Sequence, residues 1–141
     1  MSNPSEPALI TVDEDHFRSG IRAITDLLLI PEEVIREVVH HLAMGKSVIL
    51  TGATGTGKTH LAQLISKEIF GIDSEVVTAT SEWTTYEVIG GLFPHPTSGH
   101  IEYRFKPGFV LASQPDEGRS AGQTIRSSGG KWLVIDEFNR A

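Results

Sequence analysis

The spacing of apolar residues along this 141-residue chain changes several times, and each change marks an element. Residues 1–20 show no period, only Pro, Ser and acidic residues, and read as a flexible N-terminal arm. Pro31, Glu32 and Glu33 suit a helix first turn, where proline loses no needed hydrogen bond and carboxylates meet the positive end of the dipole. Val34, Ile35, Val38, Val39 and Leu42 then recur on one helical face, and Gly45 stands where a C-terminal cap belongs. "SVIL", residues 47–50, is short and β-branched, as a buried parallel strand should be. Leu61, Leu64, Ile65 and Ile69 mark a second amphipathic helix that ends near Gly71.

Farther along, "EVVTAT" reads as a strand and "TTYEVIGG" as a brief helical turn stopped by its glycines. "PHPTSG" reads as a turn-rich loop. Ile101, Tyr103 and Phe105 alternate with Glu102, Arg104 and Lys106, the period of a strand with one covered face. Residues 109–114 suit a short helix, and 115–130 form a polar Gly- and Ser-rich connection. "KWLVIDEFNRA" supplies a final apolar strand followed by two acids. Helices alternating with strands imply an α/β sheet.

Composition narrows the class. Hydrophobic content of 39% and charged content of 21% are ordinary for a globular domain, so the arm is an exception to a folded chain. No apolar run is long enough to span a bilayer, and the first residues do not read as a secretory signal. The absence of cysteine excludes disulfides and thiolate metal sites and fits a cytoplasmic location. A net charge of −6 argues against a broad nucleic-acid surface, so a nucleic-acid partner has no support here.

The chemistry lies in "GATGTGKT". Gly52, Ala53, Thr54, Gly55, Thr56, Gly57, Lys58 and Thr59 match G-x-x-x-x-G-K-[ST] at every fixed position, between an expected strand and an expected helix. The glycines let backbone N–H groups turn inward around phosphate oxygens, and the following helix adds its positive dipole end. Lys58 brings a full charge for the β- and γ-phosphates, and Thr59 a hydroxyl for magnesium. His60 follows on the helix and belongs to the same nucleotide-side stretch, although a surface position also accounts for it.

"WLVIDE" is the second motif. Asp136 and Glu137 emerge at the carboxyl end of a strand, the end of an α/β sheet where ligands gather. Asp136 suits a magnesium ligand and Glu137 a group that polarises the attacking water, with Lys58 as the other catalytic candidate.

With both motifs present, the chain resembles the AAA+ ATPases, and among them the MoxR/McrB-like group with an insert in its second helix. "IDEFNRA", "SEWTTYEVIGGLFP" and "GHIEYRFKPGFVLAS" carry the narrower likeness. The resemblance implies a three-layer α/β/α P-loop fold over residues 21–141 and ATP as the nucleotide, with GTP as the alternative, together with Mg2+. It also implies Asn139 and Arg140 near the γ-phosphate or a subunit interface, and a hexameric homo-oligomeric ring acting on a protein substrate or adaptor. Family members continue past the Walker-B strand, through a sensor strand, an arginine finger and a helical lid.

The fold is therefore expected to be incomplete at its C-terminus. In the family's strand order, 5-1-4-3-2, the absent fourth strand would separate "SVIL" from "WLVID" and leave their edges without partners. Two other readings remain: a truncated nucleotide-binding module without turnover, and a P-loop kinase outside the AAA+ group. The histidines lack metal-ligand spacing, and Trp83 and Trp132 are expected to be packing residues.

Overall fold

The computed structural model describes residues 12–113 and 131–140. Most of the expected arm, the connection over 115–130 and Ala141 lie outside the described residues.

Helix α1 (Glu14–Leu27) begins inside the stretch expected to be an arm. The acidic residues that suggested solvated chain form its start. Asp13 accepts the His16 N–H at 3.3 Å, and Glu14 and Asp15 occupy the first turn. Ile21 and Ile24 anchor its buried face. Gly20 lies where α1 crosses the later turns of the second amphipathic helix; a Cβ there would sit 2.7 Å from the Glu68 carbonyl oxygen.

Helix α2 (Glu32–Ala43) follows Pro31, which takes the cap position. It buries Ile35, Val38 and Val39, half-buries Leu42 and leaves Val34 exposed, so the apolar face is narrower than its spacing suggested. Gly45 adopts φ 74°, and the N–H groups of Gly45 and Lys46 return to the carbonyls of Leu42 and His41, each at 3.0 Å. That is a Schellman cap, as the glycine implied.

The expected strand at residues 47–50 forms no ladder. Val48 and Leu50 pack on the core, whereas Ile49 is 76% exposed. A parallel strand is held by neighbours on its edges, and among the described residues no strand lies beside this one.

After the glycine loop, α3 (Lys58–Leu64) continues into π-helical turns over Ile65–Phe70. Leu61, Leu64, Ile65 and Ile69 are all buried against α1 and α2, with Phe70 and Ile72 completing the core. Strand β1 (Ser74–Thr78) runs parallel to β4 (Trp132–Asp136), from Ser74 opposite Trp132 to Thr78 opposite Asp136. Phe70 and Trp132 pack with ring planes tilted by 45° and centroids 4.6 Å apart, and Trp83 packs on Phe109 at 4.7 Å. Both tryptophans are packing residues.

Between β1 and β4, α4 (Thr85–Val88) carries a capping box. Hydrogen bonds from the Thr84 backbone and hydroxyl hold the Glu87 carboxyl below its usual range. Because that pKa is depressed, the cap's contribution is present at neutral pH and fades as acid titrates Glu87. Then come β2 (Gly90–Thr97), β3 (His100–Pro107) and α5 (Phe109–Ser113). β2 and β3 form an antiparallel hairpin closed by Ser98 and Gly99 alone, with Gly99 at φ 98°.

Two expectations fail at this hairpin. Pro94 to Thr97 belong to β2 rather than to a loop. The Gly108 N–H donates to the Ile89 carbonyl at 2.8 Å, which sets the phase of the ladder and turns the N positions of Pro94 and Pro96 away from β3. Proline costs no ladder bond there. Ile101, Tyr103 and Phe105 do share one face of β3, but that face is uncovered.

Gly20→Ala is expected to lower the thermal midpoint by several degrees, through a clash costing about 1–3 kcal/mol. An unchanged or raised midpoint by circular dichroism would contradict the close packing of α1 on the π-helical turns.

Candidate nucleotide-binding site

The loop from Gly52 to Gly57 leaves the core at Leu50 and enters α3 at Lys58. Its three glycines take φ values of 149°, 81° and 82° at Gly52, Gly55 and Gly57, all in the region that side-chain-bearing residues avoid. The Thr56 hydroxyl donates to the Ala53 carbonyl at 2.9 Å and braces the turn. Lys58 Nζ folds over the same turn, donating to the carbonyls of Ala53 at 2.7 Å and Gly52 at 3.1 Å. No side chain caps α3 at Gly57. The first N–H groups of that helix, from Lys58 to His60, therefore face the loop with no side-chain acceptor supplied at the cap. Thr59 is half-buried, and His60 is exposed.

One supporting residue was not evident from the motif. A Cβ on Gly57 would lie 3.3 Å from Leu28 Cδ2, so Leu28, at the end of α1, backs the loop where it becomes helix. Leu28 is itself packed on the core. The sequence offered only the apolar run "LLLI" just before Pro31, whose third residue, Leu29, is fully exposed.

The acids sit at the end of β4. Asp136 Oδ1 accepts the Glu137 N–H at 2.8 Å, which fixes the carboxylate against the backbone. Glu137 has φ 53°, the left-handed region that costs a residue with a side chain. The chain turns there out of the sheet and into a 3-10 turn over Phe138–Arg140, with Asn139 exposed. α3 packs against β4, so the helix that carries Lys58 and Thr59 lies on the strand that ends in Asp136. Thr59 and Asp136 make no hydrogen bond to each other.

A family model described as "AAA domain (dynein-related subfamily)" matches residues 47–141, the greater part of the chain. The chain belongs to that family. The matched span opens just before the glycine loop and takes in the β2–β3 hairpin and β4. Membership makes the parallel β1–β4 pair part of a P-loop α/β nucleotide-binding fold, the class the motifs implied. This AAA-family chain is also similar to the uncharacterized protein YojN of Bacillus subtilis (strain 168). The two are 29% identical over 110 residues, covering 78% of this chain and 32% of YojN. The chain thus spans about a third of the length of that relative. No solved structure matches it.

Lys58→Ala is expected to weaken binding of magnesium ATP at least tenfold, about 1.4 kcal/mol, by isothermal titration calorimetry. Unchanged affinity would separate the loop from nucleotide binding.

Proposed function

We propose that this chain binds ATP, with GTP as the alternative, at the Gly52–Thr59 loop and hydrolyses it within an AAA+ machine. The observation that carries the reading is the loop itself. Three glycines open the backbone, a lysine is already folded over it, and a helix start without a side-chain cap faces it.

In this reading the loop amides and the α3 N–H groups bind the β- and γ-phosphates. Lys58 exchanges its carbonyl partners for phosphate oxygens and neutralises charge as the terminal phosphoryl group transfers. The side chains of Thr59 and Asp136 suit magnesium, because hydroxyl and carboxylate oxygens are the hard ligands it prefers. When bound, that ion supplies neutralisation of phosphate charge.

Glu137, in the same reading, orients a water and takes its proton. Its left-handed backbone, braced by the Asp136 side chain, turns it off the line of β4. A strained conformation at an acid proposed for catalysis is the kind of cost that function explains.

The closer likeness to MoxR/McrB-like members rests on "DEFNRA" and on the position of the β2–β3 hairpin between β1 and β4. A homo-oligomeric ring, an arginine donated by a neighbour and a protein substrate or adaptor belong to that finer reading. No described helix is long and apolar enough to cross a membrane. A cytoplasmic location is part of the proposal.

Glu137→Gln is expected to keep nucleotide affinity and to lose roughly 10²–10⁴-fold in phosphate release, in a single-turnover assay. Equal turnover by both proteins would remove Glu137 from the chemistry. Nucleotide binding with no turnover by the parent chain would favour a binding module.

A further inference from the structure

The β2–β3 hairpin has one edge half closed to further strands and one open. Pro94 and Pro96 occupy two of the four outward-facing positions of β2, those nearer the turn, so that half of the edge lacks the amides a neighbouring strand would need. The outward amides and carbonyls of β3 belong to Ile101, Tyr103 and Phe105, and among the described residues no backbone hydrogen bond reaches them. Their side chains are also uncovered, at 64%, 68% and 55% exposure. A two-stranded ribbon is marginal by itself, and an open edge with β-forming residues is a template for pairing.

The sequence of that edge is complementary to itself. In an antiparallel pairing of two β3 strands about a two-fold axis at Tyr103, Ile101 faces the partner's Phe105. On the opposite face, Glu102 stands across from the partner's Arg104, and Arg104 across from the partner's Glu102. These fall at positions without ladder hydrogen bonds, where side chains approach closest. Within one chain Arg104 already bonds Glu102 at 3.1 Å, so pairing would build a ring of four alternating charges. A shift by two residues would put like charge opposite like and forfeit the arrangement, so the register is specified.

We propose that β3 is a self-association edge, through which two copies of this chain join into a four-stranded antiparallel sheet. The contact is small, so the dimer dissociates on dilution. It is isologous and two-fold, unlike the head-to-tail contacts that close a ring.

The test is sedimentation equilibrium of this chain from roughly 1 μM to 1 mM. The parent protein is expected to pass from monomer to dimer over that range. E102R and R104E place like charges across the two-fold axis, and each alone is expected to remain monomeric. An equimolar mixture of the two restores Arg opposite Glu at both positions and is expected to recover the dimer. Loss of the internal Glu102–Arg104 pair cannot produce that recovery. A parent that stays monomeric, single variants that dimerise like the parent, or a mixture that stays monomeric would each overturn the proposal.

Discussion

The contact on which the rest depends is the packing of the helix that follows the glycine loop. Leu61, Leu64, Ile65, Ile69 and Phe70 project from one continuous helical segment into a core shared with α1 and α2. The same segment lies on β4, and Phe70 packs on Trp132 at the strand's first residue. Burying side chains of this size contributes about 1.5–3 kcal/mol each. The position of α3 is therefore overdetermined, and with it the start of the helix at Lys58. The loop can carry three left-handed glycines and a strained Glu137 because neither has to hold the fold together.

Much of this was legible because the signals were local and redundant. The phosphate-loop string fixes its own glycine conformations, and the amphipathic period after it named four residues that are all buried. Gly45 announced its Schellman cap, and "TTYEVIGG" announced the brief helix α4. At Asp13 to Asp15 the same kind of signal was hidden, because acidic residues begin helices as readily as they fill solvated arms. Composition alone could not separate the two.

The misreadings concern partners rather than propensities. Residues 47–50 have strand composition, yet a ladder is a property of two strands, and no described neighbour pairs with them. Ile101, Tyr103 and Phe105 alternate as a half-covered strand does, yet alternation shows which residues share a face, not whether anything covers it. Pro94 and Pro96 suggested a loop because proline removes donors. Only the phase of the ladder, set by Gly108 and Ile89, reveals that those donors were not needed. Leu28 belongs to the same class, since a residue that supports a loop from behind leaves no mark in the loop's motif.

The proposed site requires that the backbone of Gly52–Thr59 receive the phosphates while Asp136 and Glu137 lie beside them. Titrating magnesium ATP into isotope-labelled protein and following each backbone amide by NMR tests it most directly. The largest resonance shifts are expected on the amides from Gly52 to Thr59, with a second group at Asp136 and Glu137. Saturable nucleotide binding that leaves the loop amides unmoved and shifts another surface instead would contradict it.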